Sequence, residues 1–168
     1  MNWDAVSAIA EIIGVLLIVA SLAYVARQLG QNTAMMRASA ASERVERDYE
    51  LVLPLIESGE FANIWIKGDH AFDELNEADQ QRLLFFERRA ITLWHHMFQL
   101  RAQNLLADSS WGEQVWVIRN IGRRQALREA WRLFKGAYEP AFTEFVDGEF
   151  SKSDISKSDN RKAGYHLA

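Results

Sequence analysis

The sequence predicts an all-α protein. A single N-terminal transmembrane helix continues into a stalk and is followed by a small antiparallel helical bundle. Three observations predict it. Residues 5–26, AVSAIAEIIGVLLIVASLAYVA, are an apolar run with one charge, Glu11. At about 1.5 Å per residue, such a run spans the roughly 30 Å of a hydrocarbon core. From Arg27 to Leu53 no strong breaker interrupts the chain; the first is Pro54. Beyond that point apolar residues recur at helical spacing between stretches carrying turn and capping signals. The expected organisation is an anchor over 1–33, a helical bundle over 34–147 and a disordered tail over 148–168.

The anchor has two kinds of surface. Ser7, Glu11, Gly14, Ile18, Ser21, Val25, Gln28 and Asn32 follow alternating steps of four and three, which keeps them in one seam of a helix. Ile12, Ile13, Leu16, Leu17, Val19 and Leu22 fall mainly elsewhere and suit lipid. Ala10 and Gly14 add a small-xxx-small pair, which lets helix backbones approach closely. A lone span cannot hide a polar seam from lipid, so the seam predicts neighbouring helices. A water-filled pore lined by the seam is one form of such association; the alternative is a solitary anchor with Glu11 snorkelling or protonated near its outer end. A buried helix of a soluble protein also competes, but such a helix rarely lacks a charged face.

The flanks orient the anchor. Residues 1–4 carry no Lys or Arg, which makes a poor secretory signal. Arg27 and Arg37 follow the run with no acidic residue between them, so the positive-inside rule puts the N-terminus outside and the helical domain in the cytoplasm. Trp3 and Tyr24 stand where interfacial aromatics are expected.

The stalk is expected to reach about Leu53. Its Glu43, Arg44, Glu46, Arg47, Asp48 and Glu50 mix signs as on a solvated face. Val45, Tyr49, Val52 and Ile56 recur at helical spacing and are expected to face the bundle. Ser58-Gly59 and Gly68-Asp69 read as turns with a short helix between them. The stretch GDHAFDE offers Asp69, His70, Asp73 and Glu74, but at neither calcium-loop nor zinc-helix spacing, so it reads as a solvated loop.

Asn76 is the expected N-cap of the next helix, with Glu77 and Asp79 favouring its dipole. That helix is expected to run to about Leu106. Leu83, Phe86, Ala90, Leu93, Trp94, Met97 and Leu100 make one wide apolar face, as in the central helix of a bundle. His95 and His96 point about 100° apart and cannot simply serve one site. A further helix starts at Asp108 or Ser109 with Trp111, Val115, Trp116 and Ile118 apolar, and ends at Gly122. Gln125 to Lys135 forms another, carrying Leu127, Ala130, Trp131 and Phe134 inward. Pro140 opens a short helix over Ala141 to Val146. From Gly148 the chain turns polar and repeats SKSD, a composition expected to be disordered.

Arg119, Arg123, Arg124, Arg128 and Arg132 are the most basic window. They read either as a face paired with acidic groups of the stalk and loop, or as a contact for anionic lipid headgroups. The net charge of −4 argues against generic nucleic-acid binding, and the absence of Cys removes disulfide and thiolate chemistry.

The opening NWDAVSAIAEIIGVLLIVASLAYVARQLGQNT resembles the start of a widespread uncharacterised bacterial family. Its members share an N-terminal span ending in a QNT-like motif, matched by Gln31, Asn32 and Thr33. The acidic helix start at Asn76–Asp79, the aromatic central helix, Trp111 and the stretch PAFTEFVDG are similar too. The resemblance implies an anchor and a cytoplasmic helical domain in a bacterial inner membrane. It implies no activity.

No glycine-rich phosphate loop, G-x-S-x-G elbow, HExxH or paired Glu-x-x-His is present. The sequence therefore nominates no catalytic, cofactor-binding or metal-binding residue, and the chain reads as a non-enzyme. Two readings of function remain. One is a membrane-anchored assembly module, self-associating through Ser7, Glu11, Gly14, Ser21, Gln28 and Asn32, with its bundle meeting an unidentified protein partner. The other is a small homo-oligomeric cation channel, in which the same seam lines the pore. Facing a hydrated axis, Glu11 favours the channel; facing a packed helix or headgroups, it favours the module.

Overall fold

A computed structural model describes the backbone of residues 3–162; residues 1–2 and 163–168, and the side chains of Ala5, Ala10 and residues 155–162, lie outside the described set. Among the described residues the regular structure is entirely helical: α1 (Trp3–Glu57), α2 (Gly59–Lys67), α3 (Glu77–Ala102), α4 (Asp108–Ile121), α5 (Gln125–Phe134) and α6 (Pro140–Lys162), with 3-10 turns at Phe72–Glu74 and Lys135–Ala137. The chain divides into two compact units, residues 1–40 and 41–168.

The first unit is helix throughout its described length. α1 is long and apolar enough to cross a membrane, and none of its most apolar window is buried within the chain. Ile12, Leu16, Leu17 and Leu22 are each more than 60% exposed. So large an unbroken apolar surface is far outside what a protein in water leaves bare.

The second unit is built on α3. Asn76 Oδ1 accepts from Asp79 N at 2.9 Å, satisfying one of the orphan amides at the helix start. α3 ends at Ala102 rather than near Leu106. Asn104 adopts φ 57°, and the amides of Asn104 and Leu105 return to the carbonyls of Arg101 and Leu100. This is a Schellman closure with Asn in the left-handed position. Leu83, Ile91 and Trp94 of α3 pack in one core with Phe61 and Ile64 of α2, Ile118 of α4, Leu127 and Trp131 of α5, and Phe142, Val146 and Phe150 of α6. α2 is capped by Ser58, whose Oγ accepts from Phe61 N at 3.1 Å.

Three expectations need correction. α1 does not stop at Pro54 but makes one more turn, with Ser58 N bonding Pro54 O at 3.2 Å. Val45, Tyr49, Val52 and Ile56 do not face the bundle; all are exposed. The face one residue earlier is turned inward, with Arg44 paired to Glu113 at 2.6 Å and Leu51 and Leu55 against the core. Trp116 is 65% exposed, and Gln114 takes a buried place on α4. The helix opened by Pro140 does not end at Val146. It continues across Gly148 to Lys162, and Glu149, Phe150 and Ser153 are buried, so the segment from Gly148 to Asp154 is not a disordered tail.

Candidate functional site

Three regions carry the residues that sequence reasoning singles out, and a fourth emerges only in three dimensions. The first is the seam of α1. Ser7, Glu11, Gly14, Ser21, Gln28 and Asn32 lie on one uninterrupted helix, and all but the half-buried Gly14 are exposed. Ser21 Oγ donates to Leu17 O at 2.8 Å, which satisfies a hydroxyl that lipid could not. Nothing lies within 4 Å of where a Cβ on Gly14 would stand. The helix therefore gathers the seam into one outward strip with open space at its smallest residue. Ala10, the other half of the small pair, lies outside the described side chains.

The second region is the basic window, and the fold uses it internally. Arg119 pairs with Glu149, Arg132 with Glu129 at 2.9 Å, and Arg128 with Asp154 at 3.0 Å. Arg123 Nε donates to Ser153 Oγ at 3.3 Å. Arg128 also donates to the carbonyls of Gly122 and Phe150 and stacks over the Phe150 ring at 4.2 Å. Arg124 is buried and so is removed from any headgroup-facing surface. The partners of Arg119, Arg123, Arg128 and Arg132 named here lie on α6, on α5 and in the turn before α5.

Arg124 is the centre of the most enclosed charge cluster. Its guanidinium donates to Asp69, to Glu87 Oε1 at 2.6 Å and to the carbonyl of Trp65 at 3.2 Å, and lies 3.6 Å from the Trp65 ring centroid. Three elements are tied at one point, as a buried guanidinium requires if its donors are to be satisfied. Burial pushes the Glu87 carboxyl up to about 7, and the Arg124 charge holds it from rising further. Glu87 is missed in the sequence. The available signal is its phase: Leu83, Glu87, Ile91 and Trp94 share the inward stripe of α3.

The histidines separate as their spacing implies. His95 Nε2 meets Glu139 Oε2 at 2.5 Å and packs between Tyr138 and Phe142, with ring centroids at 5.1 and 5.0 Å. The carboxylate comes from the approach to α6, not from α3. In the GDHAFDE stretch Asp69 binds Arg124, Asp73 accepts from Gln125 and Glu74 pairs with Lys67 at 3.8 Å, so these carboxylates serve the structure around the loop.

The fourth region is a trench between the end of α1 and α3. Two adjoining hollows, of about 520 and 800 Å³, share Glu50, Phe85 and Arg89. Leu51, Pro54 and Phe86 give it an apolar floor. Phe85 stands 55% exposed at its middle. Periodicity alone counts Phe85 as one more aromatic on an aromatic helix and gives no sign that it faces out.

No protein-family model matches this chain, and no curated protein and no solved structure is significantly similar to it.

Proposed function

We propose that the chain is a membrane-anchored assembly module whose protomers join through the seam Ser7–Glu11–Gly14–Ser21–Gln28–Asn32 of α1. One observation carries this reading: the apolar window of α1 has no cover among the described residues, and the polar and small residues on it form one open strip. In lipid there is no hydrophobic gain from bringing helices together, so packing at Gly14 and polar contacts at Glu11 and Ser7 must supply the association. The charge pattern around the span supports an outside N-terminus and a cytoplasmic bundle in a bacterial inner membrane; a reporter fused after Ala168 should then behave as cytoplasmic, and periplasmic activity there would reverse the orientation. The reading is of a protein that assembles rather than catalyses.

The test is association in membranes. Gly14→Leu fills the open strip and should weaken the oligomer, while Leu16→Ile, aimed at lipid, should leave it unchanged. A wild type that is monomeric by crosslinking, or an oligomer indifferent to Gly14→Leu, removes the seam as an interface.

A further inference from the structure

We propose that the trench between α1 and α3 is a second self-association surface, by which the bundles of two copies dock about a two-fold axis centred near Phe85. This goes beyond the seam, which concerns the anchors alone.

Several charges along this edge have no ionic partner among the described residues. On the α1 side, the carboxylates of Glu50 and Glu57, which line the trench, form no ion pair among the described residues, while Arg47 beside them is paired with Glu43. On the α3 side, Arg88 and Arg89 have no carboxylate partner among the described residues either. Arg88 lies over the Phe134 ring, and Arg89 donates to the main-chain carbonyl of Glu50. Arg119, Arg124, Arg128 and Arg132 of the basic window each have a carboxylate partner, so this edge stands out. Along the trench the charges without an ionic partner among the described residues are acidic on the α1 side and basic on the α3 side, and they do not neutralise each other.

A surface with that arrangement is complementary to itself. In a two-fold contact residue i meets j of the partner and j meets i. Rotation about a two-fold axis running along the trench sets the acidic wall of each copy against the basic wall of the other. Phe85 near the axis then meets its own counterpart over the apolar floor, the combination of buried aromatic centre and charged rim that stable contacts share. An anionic lipid complements only the basic wall and leaves the acidic wall facing like charge.

The natural chain has no Cys, so one introduced thiol reports one place. The full chain is reconstituted in liposomes at low density and treated with a short bis-maleimide. Phe85→Cys should crosslink to a dimer, and Ile66→Cys, which is exposed but outside the trench, should not. Ser21→Cys in a separate preparation reads the anchor seam, so loss of one contact is not mistaken for loss of the other. Charge reversal then tests the pairing in the Phe85→Cys background. A chain with Glu50→Arg and Glu57→Arg, and a chain with Arg88→Glu and Arg89→Gln, should each lose crosslinking about five-fold or more alone. Mixed in one membrane they should recover the parental yield as heterodimers, because the altered walls complement each other. Phe85→Cys crosslinking no better than Ile66→Cys overturns the proposal without recourse to the charge variants. Failure of two folded charge variants to recover on mixing overturns it as well.

Discussion

Arg89 donates from its guanidinium to the main-chain carbonyl of Glu50 at 3.4 Å, across from α3 to α1. That carbonyl is the one that residue 54 would serve in an ordinary helix, and residue 54 is Pro54, which has no N–H to offer. A side chain from another helix thus supplies the missing donor, and α1 passes through its proline to Glu57.

The relationship predicts a coupling. Pro54→Ala restores the amide donor and should stabilise the full chain in detergent by about 1–3 kcal/mol, since proline inside a helix costs roughly 3 kcal/mol against alanine. Arg89→Met should cost about 0.5–1.5 kcal/mol in the parent and distinctly less in the Pro54→Ala background. Denaturation of the four proteins of the cycle, followed by tryptophan fluorescence, measures it. Strictly additive effects would show that Arg89 does not stand in for the lost amide.

Glu87 predicts a pH dependence whose sign follows from its environment. Burial raises its carboxyl from 4.5 to about 7 in the folded chain. Between those values the folded state holds a proton that the unfolded state has released, so stability falls as pH rises through this window and then levels. The size is on the order of 3 kcal/mol for a change of this span. Glu87→Gln keeps an oxygen for Arg124 but cannot titrate. The parent should melt lower at pH 8 than at pH 5, and the variant should lose most of that difference. An equal slope in both proteins would place the titration elsewhere.

What the sequence makes legible is the set of features with local causes. Asn76 caps α3 through its own side chain, and the wide apolar face from Leu83 to Met97 is buried as its spacing requires. The apolar run of α1 needs only its length and composition. The misread parts are those in which polar groups hold the packed position. On α1 the inward face carries Arg44 and Asp48, which pair with each other and reach Glu113 of α4; a search for apolar periodicity therefore prefers the neighbouring stripe, about 100° away, from Val45 to Ile56. On α6 one aromatic, Phe150, anchors a segment otherwise held by Glu149, Ser153 and Asp154. Their partners are the arginines of α4 and of the start of α5, far enough back in the chain that composition does not encode the correspondence. The trench is hidden for the same reason: its walls come from two helices, and a charge without an ionic partner is a property of the fold.

Two glycines should respond to alanine with opposite signs. A Cβ on Gly122 would stand 2.5 Å from the Phe150 ring and from the carbonyl of Ile118, and Phe150 is buried with no room to yield. Gly122→Ala should cost about 1–3 kcal/mol, the range for overpacking. Gly148 lies within α6 with nothing within 4 Å of a Cβ. Gly148→Ala should stabilise by about 0.5–1 kcal/mol, the helix preference of alanine over glycine. Melting of the two variants against the parent decides the matter. An unaffected Gly122→Ala protein would mean that α6 does not pack against the turn between α4 and α5.

The same contact sets the outcome of truncation. Ending the chain at Asp147 removes Phe150, which packs edge-on to Trp94 and Trp131 with centroids 6.4 and 6.1 Å away. It also removes Glu149 from Arg119, Ser153 from Arg123 and Asp154 from Arg128. Loss of a buried Phe alone costs about 3–5 kcal/mol, a large share of the roughly 5–15 kcal/mol that holds a domain folded. The arginines left behind lose acceptors inside the structure, and Gly122 loses the ring that covers it. Ending the chain at Asp154 keeps every one of these contacts. The first truncation should therefore unfold the bundle or lower its melting point steeply, while the second should melt close to the full chain. Limited proteolysis gives a parallel reading, with cleavage rising throughout the bundle in the first protein only. Two truncations that melt alike would return the segment from Gly148 to the disordered tail that its composition implies.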